Sequence, residues 1–169
     1  MSIIVAPHTD DEICGGSQVL KNETGVGVVY VMPVAPPMRK DRAKLLPKFV
    51  PSVNRQWFYE EVAHLFNYNY YNFLSDLAVD LDETFYFPDP YFETHPDHRA
   101  IGNVGEQLLR SGVDVVFYSV NMRAPYIHKV DDPEWKRDLL DNVYPDQNKL
   151  WKYDHRYWLF EGKCVWLME

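Results

Sequence analysis

Cysteine is scarce in this chain, with Cys14 and Cys164 the two present among 169 residues. They lie far apart without CxxC spacing, which leaves no disulfide framework and fits a reducing compartment. Positive charge is also short. Seventeen Lys and Arg stand against 25 Asp and Glu, for a net charge of −8, and that balance argues against non-specific binding to duplex nucleic acid, which needs a basic footprint. Long apolar runs are missing too. No stretch reaches the ~20 residues that a membrane span requires. The apolar run after Met1 is short and has no basic leader, so neither a signal peptide nor an anchor is expected. These absences together predict a cytoplasmic protein.

What is present points to a folded domain. A hydrophobic share of 46% and an aromatic share of 15% exclude a disordered chain, and 12 Tyr with 5 Trp suit amphipathic pocket walls as well as core. The length predicts one domain over residues 1–169.

The densest chemistry lies in Val5-Ala-Pro-His-Thr-Asp-Asp-Glu12, which places one imidazole and three carboxylates directly behind an apolar run. Ser2 to Ala6 reads as a buried strand and Asp10 onward as a helix start, so His8 to Glu12 falls on the turn between them. Such turns are where α/β proteins bind ligands. His8 and Asp11, three residues apart, can aim at one point, and a second His closes a facial site of two imidazoles and one carboxylate. A second cluster, His95-Pro-Asp-His98, offers that partner.

The two motifs together resemble the N-acetylglucosaminyl-phosphatidylinositol de-N-acetylase (PIG-L) family, also called the LmbE-like zinc-dependent deacetylases. That family carries His-Pro-Asp-Asp-Glu near the N-terminus and His-Pro-Asp-His later. The second motif is intact here, and the first has Thr9 in place of the family proline. The resemblance implies a zinc-dependent hydrolase that removes an acyl group, acetyl foremost, from the linear amide of an N-acetylated amino sugar or similar small polar molecule. It assigns His8, Asp11 and His98 as ligands of Zn2+, with Fe2+ the other metal such a set accepts. Asp10 becomes the general base. His95 stabilises the oxyanion and protonates the leaving amine, Asp97 orients an imidazole, and Glu12 supports the turn.

Further along, Gly25 to Met32 reads as the second strand, with a helix over residues 11–21 as the crossover. Cys14, early in that helix, reads as a small buried thiol rather than a ligand. Residues 33–54 read as a proline-rich loop. Its cations, Arg39 among them, are either solvated or part of a lid that holds an anionic substrate. Arg55 to Phe66 reads as a helix, matching the family helix that carries an arginine, and Tyr68 to Leu74 reads as the third strand. Asp76, just beyond it, takes the place of a substrate-contacting carboxylate in the family. Arg55 and Asp76 are therefore candidate substrate-binding residues, Asp76 reading equally as a plain strand-ending turn residue, and Arg123 and Tyr126 join them, with His128, by position alone.

Thr84 to Phe87 reads as a strand, the segment after His95 as a helix ended by Ser111-Gly112, and Val113 to Val120 as another strand. A helix after Asp132 and a terminal strand over residues 162–167 complete the expected order. The expected fold is thus a single Rossmann-like three-layer α/β domain, its mainly parallel sheet of about five strands flanked by helices and trimmed relative to the family. Three rivals stand beside the deacetylase reading. One is a non-haem iron oxygenase, another a deacylase of a modified nucleoside or amino-acid conjugate, and the third a non-catalytic metal-binding family member.

Overall fold

Ser2–Ala6 (β1) is five residues with every side chain buried. Side chains alternate along a strand, so Ile4 and Ala6 join one core while Ile3 and Val5 join another on the opposite face. A strand buried on both faces needs layers on both sides, and the chain supplies them. The computed structural model describes residues 1–33, 37–66, 69–120, 126–152, 154 and 156–164.

After β1 come two short helices, Asp11–Cys14 (α1) and Ser17–Asn22 (α2), and then Val26–Tyr30 (β2). The single helix expected over 11–21 is broken at Gly15 and Gly16. A Cβ on Gly15 would run into the Tyr118 ring, so glycine there admits a close approach that a helical side chain would block. Residues 33–54 are not a plain loop. Within them lie Pro37–Lys44 (α3), Leu46–Phe49 (α4) and the first residues of Val53–Phe58 (β3).

β3 passes directly into Tyr59–Phe66 (α5), so only the last two thirds of the expected 55–66 helix is helical. Tyr70–Asp80 (α6) replaces the strand expected over 68–74. Its N-cap Asn69 accepts a hydrogen bond from the Asn72 backbone N–H, and Phe73, Leu74 and Ala78 face the core. The middle of the chain is therefore not trimmed, because α6 occupies the crossover into Thr84–Pro88 (β4).

Pro96–Arg110 (α7) follows β4 and leads to Val115–Ser119 (β5). Gly112, at φ 96, makes the turn after α7 in the left-handed region. Beyond β5 the order is Tyr126–Lys129 (β6), Pro133–Val143 (α8), a 3-10 turn at Pro145–Leu150, Arg156–Leu159 (α9) and Phe160–Cys164 (β7).

Among the described residues the sheet has seven strands in the order β3-β2-β1-β4-β5-β7-β6. The first five are mutually parallel, whereas β7 runs antiparallel to both β5 and β6. The count exceeds the expected five because an antiparallel pair is added beyond β5. From β1 the chain steps outward to β2 and β3, then returns to the other side of β1 for β4 and β5. The junction of β1 and β4 is thus a topological switch point, where a crevice opens at the carboxyl ends of the strands. Both motifs lie there, His8 just past β1 and His95 to His98 at the start of the helix after β4. Among the described residues no helix is long and apolar enough to cross a membrane.

Candidate metal centre

The turn after β1 is tied by its own backbone. The His8 backbone N–H donates to Asp11 Oδ2 at 2.8 Å, and the Asp11 N–H donates to His8 O at 3.3 Å. Thr9, at the departure from the family pattern, is buried in this turn. Asp10 takes up φ 92, the one positive φ outside glycine among the described residues. Its backbone N–H is held by Glu12 Oε2 at 2.8 Å. Glu12 is wholly buried and accepts from the Tyr30 hydroxyl at 3.1 Å and from the Tyr144 hydroxyl. Burial outweighs these bonds and raises the Glu12 carboxyl to about 7.

Across the crevice, His95 caps α7 by accepting the Asp97 backbone N–H at Nδ1, 3.1 Å away. That bond leaves the ring proton to His95 Nε2. One turn into the helix, His98 is buried and points back at the first motif. His8 Nδ1 lies 3.3 Å from His98 Nε2 and 3.5 Å from Asp11 Oδ2, and His98 Nε2 lies 3.1 Å from Asp11 Oδ2. Four ligands at about 2.05 Å from a tetrahedral metal are separated by about 3.3 Å, so the three atoms sit at the edge lengths of such a site. Two imidazoles and one carboxylate suit zinc and ferrous iron alike.

The outer nitrogens of both rings meet carboxylates. His8 Nε2 is 2.8 Å from Asp97 Oδ2, and His98 Nδ1 is 3.4 Å from Glu93 Oε1. Carboxylates so placed fix ring orientation and strengthen the imidazoles as ligands. His8, His95 and Asp97 form a second trio with ligand atoms within 4.8 Å. It is the weaker candidate, since His95 and Asp97 face solvent and Asp97 is already engaged with His8.

Burial and opposite charge act against each other in this cluster. Burial lowers the His98 pKa, but the Asp11 charge and hydrogen bond, aided by Glu93, outweigh it and raise it to about 10. Burial likewise works against Asp11, yet His98 and His8 pull its carboxyl down to about 2. For His8, the hydrogen bond to Asp11 prevails over burial and raises the pKa. Asp10 is raised well above the usual carboxylate range by burial and by its neighbours Asp11 and Glu12.

Of the three candidate ligands His8 lines a cavity of about 290 Å3, together with Thr9, Asp10 and His95, and Asp11 and His98 lie behind that wall. Arg39 from α3 and Gln147 from the 3-10 turn line it as well. The other expected substrate contacts lie elsewhere. Arg55 is at the opposite, amino end of the strands, where it grips Glu83 at 2.5 and 2.7 Å and donates to Gly25 O. Its strand, read as a helix, carries it away from the crevice. Asp76 is exposed in the middle of α6, because the strand expected to end beside it is a helix. Arg123 and the Tyr126 side chain lie outside the described residues. His128 lines a different cavity, of about 260 Å3, with Gly15, Tyr86 and Glu161. Cys14 is a buried free thiol.

Sequence reading missed Glu93, Tyr30, Tyr144 and Gln147. Glu93, two residues before the second motif, carried a visible signal as a carboxylate near ligating histidines. The two tyrosines and Gln147 come from distant parts of the chain, and no local pattern links them to Glu12 or Asp10.

The fold and the cluster together define a three-layer α/β protein with a His/Asp site at its topological switch point. No protein-family model matches the chain, and no curated protein matches it. Among solved structures, it is similar to the conserved protein TT1542 from Thermus thermophilus, with a TM-score of 0.64 and 16% identity over 98% of this chain and 94% of that one. At that identity the likeness shows the fold alone, over essentially the whole of both chains.

Proposed function

We propose that this chain is a metal-dependent amidohydrolase of the PIG-L and LmbE-like kind, acting on the linear amide of a small polar substrate to release an acyl group, acetyl foremost. The observation that carries the reading is the spacing of His8 Nδ1, Asp11 Oδ2 and His98 Nε2 at 3.1 to 3.5 Å, with Asp10 beside them. Zinc is the proposed metal and the cytoplasm the proposed location, the latter supported by the unpaired Cys14. A bound metal supplies Lewis acidity and lowers the pKa of water toward ~7.

The residues divide the remaining work. Asp10 lines the cavity next to a ligand without being one, so it is placed to take the proton of the attacking water. His95, on the same cavity with its proton at Nε2, is placed to hydrogen-bond the developing oxyanion, while the proton that Asp10 takes from the water passes on to the leaving amine. Asp97 and Glu93 hold the two ligating rings.

The test measures metal content and amine release together on a panel of N-acetylated sugars and conjugates. Asp10→Asn keeps side-chain size but cannot accept a proton, so metal is expected to stay while turnover falls by about 10²–10⁴. His95→Ala is expected to behave alike, whereas His98→Ala loses the metal. Equal turnover by wild type and Asp10→Asn overturns the base assignment. A wild type that holds metal and releases no amine from the panel favours the non-catalytic binder instead.

A further inference from the structure

Of the cations in residues 37–48, most are committed to packing. Lys40 bridges Glu60 and Glu61 at 2.7 and 2.8 Å, and Lys44 meets Glu61 at 3.0 Å. Arg42 donates to the carbonyls of Val143 and Asn142. Arg39 differs. Its Nε donates to Asp146 at 3.0 Å, and its terminal nitrogens have no partner among the described residues. It lines the same cavity as His8, Asp10 and His95, and among the described lining residues it is the one permanent cation. A guanidinium with two free ends is built for a planar or tetrahedral oxyanion.

A second polar residue, Gln147, lines the same space. Gln147 is 7% exposed, and its side-chain oxygen is buried with no hydrogen-bond partner. A buried acceptor left unmade costs free energy, and on a cavity wall a ligand N–H or O–H relieves it. The cavity, about 290 Å3, lies at the small end of ligand sites. Arg39 and Asp146, Gln147's sequence neighbour, hold this wall together from two distant segments.

We infer that Arg39 and Gln147 form the recognition wall of the site, and that its substrate is a small N-acylated amine bearing an acidic group, carboxylate or phosphate, near the amide. The Arg39 fork binds the acidic group and the Gln147 oxygen accepts an N–H or hydroxyl of the substrate. Asp146 competes for the guanidinium and tempers its affinity. The inference rests on the amidohydrolase reading for the words "N-acylated amine", and the experiment separates the two.

Two matched pairs of probes are titrated into the zinc-loaded protein and followed by ligand-observed NMR, with amine release read from the same spectra. N-acetylglycine is compared with neutral N-acetylglycinamide, and N-acetylethanolamine phosphate with neutral N-acetylethanolamine. In at least one pair the acidic member is expected to bind about tenfold tighter, and Arg39→Gln abolishes that preference by weakening the acidic member far more than the neutral one. Asp146→Asn strengthens the acidic member, an effect that a purely structural ion pair does not produce. Gln147→Leu weakens both members of the pair. The preferred pair tells carboxylate from phosphate. The inference is overturned if no acidic probe binds more tightly than its neutral partner. It is overturned equally if Arg39→Gln keeps the preference, which would place the acid on the metal. Arg39-dependent binding without amine release leaves the inference standing and removes the amidohydrolase reading, and amine release without acidic preference does the reverse.

Discussion

Stripped of metal, the protein should keep His98 doubly protonated well above neutral pH. Both ring nitrogens face carboxylates, Nε2 at 3.1 Å from Asp11 and Nδ1 at 3.4 Å from Glu93. The folded-state pKa of about 10 stands above the unfolded value of 6.5, so the stability this group contributes is fully present below pH 6.5 and is lost as pH rises through about 10. Within that window each pH unit removes about 1.36 kcal/mol. From pH 7 to pH 9 the loss is therefore roughly 2.5 kcal/mol. That range precedes ionisation of unfolded tyrosine, and Glu12, near 7, titrates in both proteins compared and so cancels. The assay is urea unfolding of the chelator-stripped wild type and of His98→Gln at the two pH values, with imidazole NMR following the ring. The variant should lose about 2.5 kcal/mol less than wild type across the interval. A His98 ring that titrates near 6.5, or equal losses in the two proteins, refutes the electrostatic account of the cluster.

Because a metal must displace the His98 Nε2 proton, zinc affinity should rise at least tenfold per pH unit between 6.5 and 8, as chelator competition would record; a flat profile counts against His98 as a ligand. Gly102→Ala should destabilise the protein by about 1–3 kcal/mol and weaken metal binding. The new Cβ would lie 2.5 Å from Pro88 O and push away the helix that carries His98, so wild-type metal affinity in this variant would count against that coupling. Arg55→Lys should leave metal content and turnover unchanged, since its partner Glu83 is at the opposite edge of the sheet; a loss of turnover would return Arg55 to the site.

The parts legible in the sequence were those whose chemistry is local. β1, β4 and the helix after His95 each announce themselves by an apolar run or a cap, and a switch point between β1 and β4 brings the two histidine motifs together. The middle was misread for two physical reasons. Val53–Phe58 is an edge strand whose central residues are half exposed, so its polar Asn54, Arg55 and Gln56 mask the strand signal. Tyr70–Asp80 begins with aromatics of high β propensity, yet Tyr70, Phe73, Leu74, Leu77 and Ala78 recur at helical spacing and pack on one core. Periodicity won over propensity there. Arg39 was visible as a cation in a proline-rich stretch, but only the docking of α3 against the 3-10 turn tells it apart from Lys40 and Lys44.

The buried ties behind the first motif set an order on how the site matures. Ser17 reaches Glu161 across 144 residues, the Cys14 carbonyl takes the Lys136 ammonium across 122, and Glu12 takes the Tyr144 hydroxyl across 132. On a ribosome, which delivers N-terminal residues first, Asp10 and its neighbours emerge well before these partners do. The turn that holds the candidate base is synthesised before the partners that lock it. A nascent or C-terminally shortened chain therefore carries both histidine motifs without the fastenings that aim them.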